Sequence, residues 1–263
     1  MSQLMSAAWR YRGFIASSVA NEFKARLKRS RLGTAWVVLQ PLAQVFIYAT
    51  VLSNVLAAKL QGVNNKYAYA AYLVAGSACW SLFVEIVQRC LTVFIDFSSL
   101  LKKIQFPRIT LPMIVIGSAS VNNVALILAA LGILPILGFY PNWNLLWLPV
   151  LMFLTVALAT GFGLFLGTLN VFMRDIGQVI PIVLQFWFWF TPIVYPVTII
   201  PEAMRKFLVF NPVIPLVVGY QNVLVYGTAP PHGLLWVGVV AVVLLSVSML
   251  LFRRASAEMV DVL

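Results

Sequence analysis

Charge is scarce in this chain. Asp, Glu, Lys and Arg make up 10% of its 263 residues, against about 25% in ordinary soluble domains. Hydrophobic residues make up 62%, which excludes a sizeable soluble domain and places the chain among integral membrane proteins. Acidic groups are scarcest: 7 Asp and Glu stand against 18 Lys and Arg. They are scattered, with no pair at metal-ligand or acid–base spacing. The one histidine, His232, follows two prolines and reads as a loop residue. The two cysteines, Cys79 and Cys90, fall in one predicted helix. At ~1.5 Å per residue they stand roughly 16 Å apart, too far for a mutual disulfide. No glycine-rich loop runs into Lys-Ser or Lys-Thr, so a P-loop nucleotide site is excluded.

The longest absence is the most informative. Residues 109–173 contain no Asp, Glu, Lys or Arg. A bilayer core needs about 20 apolar helical residues to cross, so this run is too long for one span. It is broken once, at Gly138-Phe-Tyr-Pro-Asn-Trp-Asn144, where turn formers and interface aromatics cluster. It therefore reads as a hairpin whose charged feet, at Phe106-Pro-Arg108 and Arg174-Asp175, share one side of the membrane.

The same criteria predict an all-α integral membrane protein of six transmembrane helices, at about 33–58, 69–95, 110–137, 145–172, 176–194 and 233–252. Residues 1–31 are basic and polar, and the apolar stretch after them is too long for a signal-peptide core, so no cleavable leader is expected. Within residues 4–29, Leu4, Ala8, Tyr11, Ile15, Val19, Phe23 and Leu27 recur at spacings of three and four. That is the pattern of an amphipathic helix lying in the membrane interface. Residues 194–231 hold Pro196, Pro201, Pro212 and Pro215 and alternate apolar and polar patches. Broken re-entrant helices between spans 5 and 6 fit this pattern, buried in protein or lining a wet cavity; an external loop is the other reading. Residues 1–263 thus form one domain: interface helix 1–31, bundle 33–252 and tail 253–263.

Thirteen Lys and Arg fall on the side of Lys102, Arg108 and Arg174, and four on the other: Lys59, Lys66, Arg205 and Lys206. The positive-inside rule puts both termini in the cytoplasm. The net charge of +11 then records topology and contact with anionic membrane lipids, with no nucleic-acid partner.

Three features inside the spans could carry function. Glu85 is a carboxylate well within span 2, and Arg89 four residues on can pair with it; a structural ion pair and a substrate contact are both open. Gly163 and Gly167 permit close helix approach, within the protomer or at a dimer seam. Phe186-Trp-Phe-Trp-Phe190, then Thr191-Pro-Ile-Val-Tyr195-Pro196, sets five rings around one helix. Some must face inward, where Trp187, Phe188, Trp189, Phe190 and Tyr195 would give a wall on which sugar rings slide; a lipid-anchoring belt is the alternative.

Several motifs in register carry a resemblance. Lys24-Ala-Arg-Leu-Lys-Arg-Ser30, Leu32-Gly33, Trp36 and Gln40-Pro41 come first. Phe106-Pro-Arg108 with Leu111-Pro112, Arg174-Asp-Ile-Gly-Gln178, Thr191-Pro-Ile-Val-Tyr-Pro196 and Asn211-Pro212 follow. Over nearly the whole chain this resembles the membrane subunit of ABC-2 type exporters, and more narrowly the polysaccharide, O-antigen and teichoic-acid (Wzm/TagG-like) export permeases. Gln221 departs from the pattern, since relatives commonly carry arginine there.

The resemblance implies a half-transporter of the bacterial inner membrane that pairs with a second copy of itself and recruits two cytoplasmic ABC ATPase subunits. Cofactors are then none in this chain, with ATP and Mg bound by the partner subunit. It implies a short coupling helix at 98–106 seated in the ATPase, with Lys102, Lys103, Phe106 and Arg108 at that contact; Arg174 and Asp175 either join it or form an ion pair that only braces the loop between spans 4 and 5. It implies cargo on a polyprenyl diphosphate, and Arg26, Lys28, Arg29 and Arg31 would meet the diphosphate at the inner leaflet with forked contacts. For the lysines a topology signal, and for the arginine cluster ordinary lipid binding, are the plainer readings. A drug or small-lipid exporter of the same architecture is the alternative function, and a polytopic enzyme acting on lipid-linked sugars is the alternative of another class.

Overall fold

A computed structural model of the chain describes residues 10–28, 39, 43, 65, 67–103, 107–197, 200–201, 208–256 and 258–259. Every extended element among them is a helix, and no strand occurs among the described residues. In chain order these are α1 (Arg12–Lys28), α2 (Ala68–Asp96), α3 (Ser98–Lys103), α4 (Thr110–Ile133), a 3₁₀ turn (Trp143–Trp147) leading into α5 (Leu148–Phe172), α6 (Ile176–Trp189), α7 (Ile214–Gln221) continued by a π turn (Asn222–Tyr226), and α8 (Leu234–Ala255).

Four helical stretches are long and apolar enough to cross a membrane: Ala68–Asp96, Thr110–Ile133, Trp143–Phe172 and Leu234–Ala255. They coincide with expected spans 2, 3, 4 and 6. Expected span 1 lies outside the described residues except for Leu39 and Ala43. Expected span 5 is shorter as a helix than its apolar run: α6 has 14 residues, roughly 21 Å at ~1.5 Å each, less than a ~30 Å hydrocarbon layer. The chain then turns at Thr191 and Pro192. The helical segment Ile214–Tyr226 is likewise too short to cross.

The uncharged run folds as the expected hairpin. Gly138, at φ 91°, provides the left-handed backbone the reversal needs, and a side chain there is strained. Asn65 Nδ2 donates to the Leu137 carbonyl at 2.7 Å, and Asn144 Nδ2 donates to the Gly227 carbonyl at 2.6 Å. At the opposite end α2, α4, α5, α6 and α8 begin or finish beside Lys102, Arg108, Arg174, Arg253 and Arg254. We refer to this as the basic end.

The trunk of the bundle is α2. It packs on α4, α5, α6 and α7, and it is the most enclosed of the four long helices. The closest approach is to α5. A Cβ on Gly163 would come within 2.7 Å of Cys90 Cβ, and one on Gly167 would overlap the Cys90 carbonyl oxygen. The small-residue spacing is thus used within the protomer. Asn170 Nδ2 donates to the Leu91 carbonyl at 2.8 Å in the same crossing. Phe94 stacks on Phe252 with centroids 5.5 Å apart, tying α8 to the trunk near the basic end.

Substituting Gly167→Ala should therefore part the two helices, because its neighbour is backbone that cannot rotate away. Overpacking of this kind costs about 1–3 kcal/mol or more, which thermal unfolding in detergent would register as a clear fall in melting temperature. Gly132→Ala is the control: a Cβ there meets nothing within 4 Å, and the melt should stay level or rise slightly.

Candidate functional site

At the basic end a short helix lies within the segment 98–106 where one was expected. α3 is a separate short helix, begun after a break at Phe97. Leu101 turns into the bundle and Lys102 is exposed. Arg108 is half-buried, just before α4. Arg174 and Asp175 are both exposed in the turn between α5 and α6, and neither has an ion-pair partner among the described residues. The Lys103 side chain and Phe106 lie outside the described part. So do the side chains of Arg26 and Lys28 on α1, and Arg29 and Arg31 entirely.

What anchors α1 is visible. Tyr11, Ile15, Val19 and Phe23 lie on its less exposed side, with Arg10, Ser17, Asn21 and Lys24 exposed. That is the division read from the sequence. The apolar side packs on α4, where a Cβ on Gly117 would sit 2.9 Å from Val19 Cγ2. Glu22 occupies the same inward side. Its carboxylate pairs with Arg89 of α2 at 2.9 Å and accepts a hydrogen bond from Ser118 of α4 at 2.6 Å. Arg89 also reaches Glu85 at 3.3 Å, and Asn122 Nδ2 donates to Glu85 at 2.9 Å. Glu85 therefore sits in an ion cluster shared by three helices, about 10–16 Å in from the basic end of α2 at ~1.5 Å per residue. The i, i+4 pair was legible in the sequence. Glu22, 67 residues from Arg89, was missed; its one signal was a lone acid on the apolar side of an amphipathic helix.

Far from the basic end, α6 carries the ring cluster. Trp187 packs edge-on against Phe83 and Phe162, with centroids 5.4 Å away in each case, and its Nε1 donates to Asn211 Oδ1 at 3.0 Å. Phe188 meets Trp80 at 5.8 Å. Both rings thus face the protomer's own helices. Trp189 and Phe190 are exposed, as is Phe186 before them. Tyr195 is half-buried, and its hydroxyl donates to the Trp189 carbonyl at 2.5 Å.

The turn that follows is held by side chains of other elements. Prolines 192 and 196 remove donors and break the helix, and the freed carbonyls need partners wherever water is absent. Tyr69 donates to the Val194 carbonyl, and Tyr72 donates to those of Pro192 at 3.3 Å and Tyr195 at 3.2 Å. Gln221 Nε2 donates to the Pro192 carbonyl at 3.0 Å. Asn211 bonds the Thr191 hydroxyl at 3.1 Å and accepts from the Val213 amide at 3.0 Å. Gln221 is fully enclosed, and a Cβ on Gly76 would come within 2.9 Å of its Nε2. Gln221 is thus a turn clamp of carboxamide size. Among the described residues no three His, Cys, Asp or Glu side chains gather closely enough to hold a metal ion.

Two expectations follow. Gln221→Leu leaves the Pro192 carbonyl with only the longer 3.3 Å bond from Tyr72 and should destabilise by about 1 kcal/mol, with proteolysis accelerating at the 191–196 turn. In the ion cluster, Arg89→Met strands two carboxylates, whereas Glu22→Gln leaves the Arg89–Glu85 pair intact. Detergent melts should show the former losing on the order of 3 kcal/mol and the latter about 1 kcal/mol; the reverse order would mean that Arg89 is not the hub.

The sequence matches the family profile described as ABC-2 type transporter over residues 15–225. Among curated proteins it is similar to the O-antigen export system permease protein RfbA of Myxococcus xanthus, at 27% identity over 99% of both chains. Two such permeases of Klebsiella pneumoniae are also similar. One is 26% identical over 79% of this chain and 78% of its own length, the other 23% identical over 92% of each.

Proposed function

The chain belongs to the ABC-2 type transporter family, and from that premise we propose that it is the permease subunit of an exporter for polysaccharide carried on a polyprenyl diphosphate. The multi-pass chain would stand in the bacterial inner membrane, with both termini cytoplasmic by the positive-inside rule. It would pair with a second copy of itself and with two ABC ATPase subunits, which bind the ATP and Mg. The observation that carries a polymer as cargo is similarity along nearly the whole chain to O-antigen export permeases. The outward rings on α6 agree with it.

In this reading the motor meets α3 at Lys102 and Lys103, and Phe106, Arg108, Arg174 and Asp175 are assigned to the same contact. Movement there passes directly into α2 through the single-residue break at Phe97. α2 carries it to α5 through the glycine crossing and to α1 through Arg89. The lipid diphosphate meets Arg26, Lys28, Arg29 and Arg31 at the inner leaflet, where guanidinium groups favour forked phosphate contacts. The sugar chain runs along Trp189, Phe190 and Tyr195, whose faces bind C–H surfaces of pyranose rings without a fixed hydrogen-bond pattern. Trp187 and Phe188 back this wall from within the protomer. The clamped turn at 191–196 and the short helical segment behind it, with its re-entrant character, form the outer mouth.

The test separates motor contact from cargo contact. Lys102→Glu with Lys103→Glu should lose the ATPase subunits on co-purification and abolish export. Trp189→Ala with Phe190→Ala should keep the ATPase subunits and lower surface polysaccharide severalfold. Normal ATPase capture by the first variant would overturn the docking assignment. Undiminished surface polymer in the second would return the rings to membrane anchoring.

A further inference from the structure

α6 has two outward faces, and one of them is unsuited to lipid. At about 100° per residue, Gln178, Pro181, Gln185 and Trp189 fall along one line, bordered by the apolar Ile182, and all five are exposed. Val179, Val183, Phe186 and Phe190, also exposed, fall along the adjoining line. The second stripe is at ease among acyl chains. The first is not. A carboxamide carries two donors and an acceptor, and neither Gln178 nor Gln185 has a hydrogen-bond partner among the described residues. Pro181 adds a third demand on that side. It has no N–H, so the Gly177 carbonyl one turn earlier loses its helical donor. Gln178 stands at the basic end beside the headgroup layer, but Gln185 is about 13 Å along the helix from its start. Polar groups without partners are not tolerated against hydrocarbon, so the stripe at Gln185 faces water, protein or a hydroxylated ligand.

Building on the export reading above, we propose that Gln178 and Gln185, ending at Trp189, form a hydrogen-bonding track for the hydroxyl groups of the passing polysaccharide. A sugar hydroxyl donates and accepts, and a carboxamide answers both without changing charge. Seven residues put the two carboxamides about 10 Å apart along the helix, comparable to the length of a disaccharide unit. Neutral, singly bonded contacts exchange readily, so a chain can pass from one to the next. Conduction needs this: sites strong enough to admit cargo and weak enough to release it. Trp189 lies at the far end of the line, where stacking takes over from hydrogen bonding. The track would confer tolerance of sugar identity, since it reads hydroxyl groups without fixing which ring bears them.

The experiment uses the full chain with its ATPase subunits, in cells that make the lipid-linked polysaccharide and in cells where its synthesis is blocked. The native Cys79 and Cys90 are both buried, so new thiols can be read against a quiet background. Gln178→Cys and Gln185→Cys should react with a small hydrophilic thiol reagent when polymer is absent and be protected when polymer is being exported, while Leu184→Cys on the buried side stays unlabelled. The pair Gln178→Leu with Gln185→Leu should still co-purify with the ATPase and lower export about tenfold, the scale of losing two neutral hydrogen bonds. Unreactive thiols at both positions would overturn the track. So would an oxidative cross-link between copies at either position, which would make the stripe a seam between protomers. Wild-type export by the leucine pair, alongside export by the unmodified complex, overturns the track alone. Failure of the unmodified complex to export any polysaccharide overturns the export reading itself.

Discussion

The structure depends on one close contact, the backbone-to-backbone crossing of α5 on α2. Gly163 and Gly167 remove the side chains that would stand between the helices, and Cys90 supplies the small surface they rest on. In a membrane there is little hydrophobic gain in pressing one apolar helix on another, because lipid tails are as apolar as leucine. Association comes instead from dispersion at short range and from hydrogen bonds between helices. The crossing provides the first, and Asn170 reaching the Leu91 carbonyl provides the second. Everything else is arranged around the pair: α4 and α1 on one flank of α2, α6 and α7 on others, α8 on α5. Part them by the width of a methyl group and the partners of Arg89, Tyr69 and Tyr72 move with the trunk.

The second constraint is chemical. A chain that turns inside or near the hydrocarbon must satisfy its own backbone. α6 stops after 14 residues, and the turn beyond it leaves carbonyls without helical donors. Tyr69 and Tyr72 lie one turn apart on the first stretch of α2, and Gln221 ends α7, so the donors come from elements that already flank the turn. The clamp is built of neutral donors, which keeps a full charge out of the enclosed position at Gln221. The ion cluster at Glu22, Glu85 and Arg89 is the opposite case. There, full charges lie between helices but remain about a quarter exposed, and each carboxylate is further bonded by Ser118 or Asn122.

Hydropathy made the spans legible, because span length and apolarity are set by the membrane and not by the neighbours. The hairpin at 109–173, the i, i+4 pairing of Glu85 with Arg89 and the glycine spacing were all local patterns. The end of α6 was not. Thr191-Pro-Ile-Val-Tyr-Pro196 is as apolar as a helix, so the run continues in composition after the helix has ended in geometry. Nor could five consecutive rings declare which faced inward. A helix distributes them over all directions, and only the positions of Phe83, Phe162 and Asn211 decide that Trp187 is enclosed and Trp189 is not. The roles of Glu22 and Gln221 were hidden for the same reason: their partners lie 67 and 29 residues away. A short helix within 98–106 was legible in position, and α3 occupies Ser98–Lys103, while the second basic cluster, at Arg29 and Arg31, lies outside the described residues.

Under the proposed export reading, those positions bear on how a motor at one end would act on cargo at the other. A rigid connection is needed, and α2 offers it: 29 helical residues without a proline, joined to α3 at one end and to the clamped turn at the other. α2 carries one glycine–serine pair, Gly76-Ser77, near its far end, where Gly76 is packed against Gln221 and Ile193, so the stretch from Ala78 to Asp96 passes on a displacement of α3 as a unit. That displacement must appear as motion of the helices α2 grips. α5 is gripped by backbone contact and would follow closely. α6 is gripped by rings at its far half, Trp187 and Phe188 against Trp80 and Phe83, and its near half carries Pro181, the one place in that helix where a hydrogen bond is already missing. The least costly response is for the far half of α6 to move with α2 and the near half to lag, with flexure at Pro181. The two outward stripes of α6 would then change their angle to each other's neighbours while the packed rings stay in place, and that is the motion a sliding polymer requires of its wall.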